Sequence, residues 1–205
     1  MNKKAMYNLT YGLFVLTTKL GERSQGCIIN TAMQVTTTPN RITIAVNKQN
    51  LTHDVLMYTK QFNVSILSEQ ADFSVFQRFG FQSGRDADKF EGYANVKNAA
   101  NGMPYVTEGT NAYLSAKVVE TMDLGTHTLF LADVTDGEVL SDVPSVTYSY
   151  YQSHIKPKPE AKAEEKTGYR CRICGYVHEG EELPEDFVCP ICKHGASDFD
   201  KLGPA

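Results

Sequence analysis

The residues with the clearest chemical potential are four cysteines near the C-terminus. They form two C-x-x-C pairs with fourteen residues between the pairs, in the order Cys171, Cys174, Cys189 and Cys192. Two such loops facing each other can place four thiolates at the corners of a tetrahedron. The spacing therefore predicts a metal site with four sulfur ligands. Zinc and iron both accept this ligand set, so a structural zinc ribbon and a one-iron redox centre both remain open at this point.

A second group of candidates lies in a polar stretch of the N-terminal half, "GCIINTAMQVTTTPNRITIAVNKQNLTHD", which reads as strand, turn, strand and helix start. Amide and hydroxyl groups at strand ends can bind the edge of a heterocycle, and a lysine beside a helix N-terminus can bind phosphate. Ordinary polar β-turns are the alternative interpretation. The candidates are Asn30, Thr31, Gln34, Thr36, Asn47, Lys48 and Thr52.

A third stretch, "RFGFQSGRDADKF", adds Ser83, Gly84 and Arg85 in succession. A hydroxyl, a flexible backbone and a planar guanidinium together can surround a second side of a phosphate. The tripeptide is a weak signal by itself. The lone Cys27 is expected to be a small buried residue, because no histidine or acid pairs with it in a nucleophile pattern.

The elements that must position these residues are mostly strands. Alternating apolar residues predict strands at "RITIAV", "YLSAKV" and "HTLFLADV". Helices are predicted over "LTHDVLMYT", with Asn50 as N-cap, and over "EQADFSVFQRFG", ending at Gly80. Many strands with few helices indicate a mainly β fold, a barrel or sandwich with short helices.

The chain divides at "KPKPEAKAEEKTG", residues 156–168, which contains two prolines and no apolar residue larger than alanine. We interpret this segment as a linker between a domain of residues 1–155 and one of residues 169–205. Its residues 156–167 could span at most about 40 Å when fully extended.

Charge and hydropathy exclude some function classes. The net charge is -4 with no basic stripe, which argues against nucleic-acid binding. The N-terminal apolar run "YGLFVL" is too short for a membrane span or a signal core, so a cytoplasmic protein without membrane attachment is expected. Clustered C-x-x-C pairs also fit metal binding in a reducing compartment better than a disulfide framework.

The segment "CRICGYVHEGEELPEDFVCPIC", with the later Phe199, resembles rubredoxin over residues 169–202. The resemblance implies one iron held by the four cysteines and carrying one electron, and so favours iron over zinc. The gap between the pairs is short, tryptophan is missing, and Lys193 stands where glycine is usual. These departures resemble the rubredoxin-type module of rubrerythrins and multidomain electron carriers. His178 and His194 are not needed as ligands, since four cysteines complete the tetrahedron.

The combination "INTAMQVTTTP", "IAVNKQNLTHD", "FGFQSGRDADKF", "GTHTLFLADV" and "YSYY" resembles the flavin reductase family over nearly all of residues 1–155. The family implies a split β-barrel that binds FMN, with NAD(P)H bound over the flavin and His127 at that position as the candidate catalytic residue. It places a flavin-ring segment at Asn30, Thr31, Gln34, Val35 and Thr36. It places the ribityl and phosphate contacts at Asn47, Lys48, Thr52, Ser83, Gly84, Arg85 and Lys89.

Joined in this order, the two parts resemble the high-molecular-weight rubredoxins. The resemblance implies electron flow from NAD(P)H through FMN to the one-iron centre, a homodimer, and transfer to a flavodiiron protein that reduces nitric oxide or oxygen. One alternative is a flavin reductase that supplies reduced FMN, with a structural zinc ribbon as docking module. Another is a non-enzymatic protein that stores flavin.

Overall fold

A computed structural model of the chain describes residues 2–157 and 168–202. The chain forms two compact units, Met1–Lys156 and Pro157–Ala205. Most of the predicted linker, 156–168, lies outside the described residues.

Over its described residues, 2–156, the first unit contains nine strands and three helices, the last of them a single turn. It also has a 3₁₀ segment at Lys3–Asn8 and a π-helical segment at Tyr151–Ile155. The strands are β1 Phe14–Leu20, β2 Arg23–Ile29, β3 Met33–Thr37, β4 Asn40–Asn47, β5 Gln61–Leu67, β6 Val96–Asn98, β7 Pro104–Val106, β8 Thr110–Asp123 and β9 His127–Val139. The helices are α1 Leu51–Thr59, α2 Phe73–Gly80 and α3 Tyr148–Tyr150.

Seven of these strands form one antiparallel sheet in the order β2-β1-β5-β8-β9-β4-β3. The sheet closes on itself around one apolar core, since side chains from β2 and from β4 pack in the same cluster as those of the central strands. Helix α1 packs against β1 and β2 and contributes Leu56 to this core. The mainly β fold expected from the sequence is confirmed.

The predicted strand alternation is confirmed in β4 and interrupted in β8. In β4, Ile42, Ile44 and Val46 are all buried, as their spacing predicts. In β8, register shifts after Ser115 and after Val118 break the alternation, so that Ser115 and Ala116 are both buried. Bulges of this kind bend a strand, and here they let one long hairpin pair with β5 at one end and with β4 at the other.

The two predicted helices form, but one is shorter than expected. Helix α1 spans the predicted residues, although the side chain of Asn50 makes no capping hydrogen bond. Helix α2 begins at Phe73 instead of Glu69, because Asp72 Oδ1 accepts the Ser74 amide and caps the helix there. Helix α2 buries Val75, Phe76 and Phe79 in a second core.

The short β6–β7 hairpin lies against β1 and β5 but forms a sheet of its own. Buried polar side chains of the barrel bind its backbone. Asn63 donates to the carbonyls of Met103 and Pro104, and Ser65 Oγ accepts the Val106 amide at 2.9 Å. These contacts explain why fully buried polar residues lie on β5.

The second unit contains a three-stranded antiparallel sheet in the order β11-β10-β12, with β10 at Gly168–Cys171, β11 at Val177–Glu179 and β12 at Phe199–Leu202. A 3₁₀ turn at Ala196–Asp198 precedes β12. In the described part of the whole chain, none of the helices has the length and hydropathy needed to cross a bilayer.

Candidate functional site

The four C-terminal cysteines converge on one point. The Sγ atoms of Cys171, Cys174, Cys189 and Cys192 all lie within 4.8 Å of one another. Two of the separations, Cys171–Cys192 and Cys174–Cys189, are 3.5 Å. A disulfide would need about 2.05 Å. A metal bound at about 2.3 Å to four tetrahedral sulfurs gives edges of about 3.8 Å, so these thiols fit a four-sulfur metal site.

The two C-x-x-C loops repeat one backbone pattern. Gly175 donates its amide to the Cys171 carbonyl at 2.9 Å, and Lys193 donates to Cys189 at 3.0 Å. Both Gly175 and Lys193 adopt positive φ, 80° and 62°. In each loop the second cysteine sulfur accepts a hydrogen bond from the backbone N–H two residues later. Tyr176 donates to Cys174, and His194 donates to Cys192. Such donors stabilise thiolate charge.

Aromatic side chains form a small core around the sulfurs. Cys171, Cys189 and Phe199 are its buried members, and Phe187 packs edge-on against Phe199 at 5.4 Å between centroids. Tyr169 and Tyr176 pack on the same cluster. Cys174 and Cys192 are only partly buried, so the site is open on their side. Among the described residues, the metal-ligating group comprises the four cysteines and neither histidine.

In the first unit, the structure brings the Ser83–Arg85 turn against the start of α1. Gly84 lies in van der Waals range of α1, since a Cβ built on it would be 3.6 Å from Leu51 Cβ, and that Cβ would come within 2.6 Å of Gln25 Oε1. Arg85 Nη2 donates to Asp54 Oδ2 at 2.6 Å, and Arg85 Nε donates to the Gln49 carbonyl at 3.4 Å. The two stretches chosen from the sequence as sides of a phosphate site are therefore neighbours.

The other predicted cation, Lys48, lies at the turn between β4 and α1. Its ammonium pairs with Asp123 Oδ1 at 2.6 Å, and its amide donates to the Thr126 carbonyl. The hydrogen bond from Lys48 holds the pKa of Asp123 below its usual value. His127 begins β9 opposite Asn47, and its Nδ1 lies 2.9 Å from Thr126 Oγ1. Lys48, Asn47 and His127 thus share one end of the β4–β9 pair.

Three predicted binding residues use their side chains inside the protein. Thr31 Oγ1 both donates to and accepts from the backbone of Ala45, which ties the end of β2 to β4. The buried Thr52 hydroxyl binds Cys27. Lys89 is buried, and its ammonium donates to the carbonyls of Gly26 and Phe79 at 3.0 and 3.1 Å.

The contacts of Lys89 favour a structural role for this residue. Burial lowers the pKa of Lys89, and burial also raises the pKa of the neighbouring Cys27 thiol. The Phe79 carbonyl belongs to the last turn of α2, where a cation is favourable. A phosphate contact of Lys89 stays a prediction, as do the flavin contacts of Thr31 and Thr52.

The remaining ring-side candidates lie on or before the edge strand β3. Asn30 follows β2 directly, and Gln34, Val35 and Thr36 are exposed on β3. Gln34 donates to Asn40 Oδ1 at 2.9 Å, while the Thr36 hydroxyl bonds the Pro39 carbonyl. Gln34 and Thr36 pair with Ile42 and Arg41 at the start of β4, so they lie about 17 Å along the strand from Asn47.

Sequence patterns gave no role to His53 and Asp54, which the structure joins to the candidate site. His53 is buried, with Nε2 2.9 Å from Thr128 Oγ1 and Nδ1 3.1 Å from Asp54 Oδ1. Burial opposes ionisation of Asp54, but hydrogen bonds from Arg85 and His53 outweigh it and lower the pKa of Asp54. The sequence feature that could have indicated this pair is a histidine followed directly by an acidic residue in the first turn of a predicted helix.

Comparison with known proteins accounts for both units. The Flavin reductase like domain family matches residues 6–158, and the Rubrerythrin, rubredoxin-like domain family matches residues 169–200. The chain is 37% identical over 230 aligned residues to the High molecular weight rubredoxin of Moorella thermoacetica, covering 98% of this chain and 100% of that protein.

A relative of the first unit alone is the Ferric-chelate reductase (NAD(P)H) of Archaeoglobus fulgidus, 37% identical over 77% of this chain and 93% of that protein. Among solved structures, the NADH:FAD oxidoreductase of Streptomyces globisporus C-1027, in complex with NAD and FAD fragments, has a TM-score of 0.64 at 22% identity. The match covers 78% of this chain and 93% of the oxidoreductase chain, and it supports the fold. The chain therefore belongs to the flavin reductase family and carries a rubredoxin-like domain at its C-terminal side.

Proposed function

We propose that the chain is an oxidoreductase that passes electrons from NAD(P)H through FMN to one iron held by Cys171, Cys174, Cys189 and Cys192. The single observation that carries the proposal is the convergence of these four thiols in a chain that otherwise belongs to the flavin reductase family. A bound flavin takes up an electron pair as hydride and releases electrons singly, whereas a one-iron site takes one at a time. Such a chain would convert a two-electron transfer into successive one-electron transfers.

The residues of the first unit would bind and orient the flavin. Lys48 and Arg85 would hold its phosphate, and the backbone from Asn30 to Thr36 would line its ring. His127 would stand where the nicotinamide approaches. The main contribution of these residues would be to orient the flavin and the nicotinamide, because the hydride passes between the two cofactors themselves.

The acceptor that we propose is a flavodiiron protein reducing nitric oxide or oxygen, or another redox protein with a basic surface. The partly buried Cys174 and Cys192 give the metal site an accessible side. The loop "EGEELPED", which follows β11, carries exposed acidic residues that would guide such a partner.

We also propose a homodimer formed through the exposed edge strand β3. Edge strand β3 is exposed throughout, with Met33 63% and Val35 40% accessible. A groove of about 300 Å³ beside it is lined by apolar side chains that include Phe14, Ile42 and Leu114. Light scattering should therefore give twice the chain mass, and Met33→Asp should shift the protein toward the monomer; a monomeric wild type would contradict the proposal.

The experiment that tests the function is an absorption spectrum of protein made anaerobically with sufficient iron. We expect flavin bands and the red sulfur-to-iron charge-transfer bands, with both bleaching on addition of NADH or NADPH. Protein containing stoichiometric zinc under these conditions would instead support the flavin reductase with a zinc-ribbon docking module. Bound flavin that neither nucleotide bleaches would support a flavin-storage protein.

The phosphate assignment has its own test, binding of FMN and riboflavin to flavin-free full-length protein. Arg85→Ala should weaken FMN binding by about 1.5–3 kcal/mol and leave riboflavin unchanged, because only FMN loses a charge-assisted contact. Arg41→Ala is the matched control, since Arg41 also pairs with an aspartate, Asp133, at the other end of β4. Equal losses for both flavins in Arg85→Ala would remove the assignment.

A further inference from the structure

The observation that leads beyond the proposed function is a continuous chain of hydrogen-bonding side chains behind Arg85. It runs from Thr128 on β9 through His53 and Asp54 on α1 to the guanidinium, with steps of 2.9, 3.1 and 2.6 Å. The inner end is buried, with Thr128 5% and His53 8% exposed, and the outer end is half exposed at Arg85.

Each polar atom in the middle of this chain has a partner. Both ring nitrogens of His53 are used, one by Thr128 and one by Asp54. Both carboxylate oxygens of Asp54 are used, one by His53 and one by Arg85. The His53 ring also packs edge-to-face with Phe130, at 5.9 Å between centroids, which restricts its rotation. The contact with His53 therefore fixes one oxygen of the Asp54 carboxylate, and the other oxygen binds Arg85.

The contacts of Arg85 occupy one edge of its guanidinium. Nε and Nη2 reach Gln49 and Asp54, and these two nitrogens share the side edge of the planar group. Within the described ranges 2–157 and 168–202, Nη1 has no hydrogen bond. The end of the fork, formed by Nη1 and the second hydrogen of Nη2, is then left for a ligand on a side chain that is 48% exposed. Two such N–H groups can bind two phosphate oxygens.

We propose that Asp54, held by His53 and Thr128, is a positioning residue that orients Arg85 for two-point binding of the flavin phosphate. The inference rests on the proposed phosphate site at Arg85. It assigns the acid a favourable effect on FMN binding, whereas simple charge repulsion between Asp54 and a phosphate would predict the opposite sign. Asp54 would thereby set the preference for phosphorylated over unphosphorylated flavin.

The test measures FMN and riboflavin dissociation constants with flavin-free full-length variants. Asp54→Asn should weaken FMN binding about tenfold and leave riboflavin within twofold, and Thr128→Val should weaken FMN two- to threefold. Asp86→Asn is the matched control, because it removes an equal charge from the residue next to Arg85, and its carboxylate has no hydrogen bond among the described residues. Unchanged or tighter FMN binding in Asp54→Asn would overturn the proposal.

A double-mutant cycle separates positioning from a general structural effect. Arg85→Lys keeps the charge but removes the planar fork, so Asp54→Asn should cause no further loss of FMN affinity in that background. The same tenfold loss there would show that Asp54 acts independently of Arg85 and would reject the inference. If Arg85→Ala fails to distinguish FMN from riboflavin, the phosphate site itself fails; if it does distinguish them and Asp54→Asn does not, only the inference fails.

Discussion

At the scale of single residues, the metal ligands were predictable and their neighbours were only partly so. Ligand spacing in two C-x-x-C loops determines which atoms can converge, so four cysteines could be assigned without a structure. Lys89 was chosen differently, because its phosphate contact is implied only by the family resemblance and stays a prediction. The structure shows its ammonium donating to the carbonyls of Gly26 and Phe79. That burial depends on how β2 and α2 pack, which local sequence does not encode.

The two C-x-x-C loops offer a prediction about backbone conformation. Lys193 adopts φ of 62° where the first loop has Gly175 at 80°. A left-handed conformation costs a residue with a Cβ about 1 kcal/mol, so Lys193→Gly should stabilise the metal-loaded C-terminal unit by about that amount. Gly175→Ala should destabilise it similarly, and through the backbone alone, since a Cβ there would meet nothing within 4 Å.

Loss of the sulfur-to-metal absorption in a denaturant titration of the full-length protein measures both changes. Lys201→Gly serves as the control, because Lys201 lies in β12 and has no positive φ. A Lys193→Gly variant that loses its metal at lower denaturant than the wild type would contradict the prediction.

At the scale of elements, regular alternation predicted strands well where the ladder is continuous. Strand β4 buries every second residue, as its sequence indicates. The bulges of β8 were not predictable, because they depend on the β8–β9 hairpin pairing with β5 at one end and with β4 at the other. The start of α2 was missed by four residues, since the apolar pattern gave no reason to prefer the cap at Asp72 over an earlier start.

Helix α2 gives a prediction with a defined pH dependence. Hydrogen bonds from Ser74 lower the pKa of Asp72. A lowered native pKa means that the carboxylate stabilises the fold above its unfolded value of about 4, and that this stabilisation disappears as the pH falls through the lower native value. Asp72→Ala should therefore reduce the free energy of unfolding by about 1 kcal/mol at neutral pH.

The measurement is thermal or denaturant unfolding at several pH values. The difference between wild type and Asp72→Ala should shrink below pH 4, while Asp72→Asn, which keeps a capping oxygen, should lose less at neutral pH. A difference that stays constant down to strongly acidic pH would show that the capping charge is not involved.

At the scale of the whole molecule, the proposed flavin and iron sites belong to separate compact units on one chain. Tethering raises the effective concentration of one unit near the other to the order of mM. After NAD(P)H is mixed with the flavin-loaded, iron-loaded protein, the rate constant for iron reduction should therefore stay the same over a hundredfold dilution. Stopped-flow absorbance at the iron band provides the measurement.

Two further outcomes of that experiment are informative. A rate proportional to protein concentration would show that electrons pass between molecules and that the linker serves only to carry the metal unit to its partner. Iron reduction at the same rate in flavin-free protein would show that the flavin is not the entry point, and the proposed order of transfer would be wrong.

The attachment of the β6–β7 hairpin has a consequence for local opening. Its backbone binds the barrel through the side chains of Asn63 and Ser65 instead of through a shared ladder. Such contacts can break without disturbing the pairing of β1 with β5, so the hairpin is expected to open as a unit at a free energy below that of global unfolding. The amide hydrogens of the hairpin would then exchange with solvent, and its backbone would become accessible to proteolytic cleavage, while the barrel stays folded.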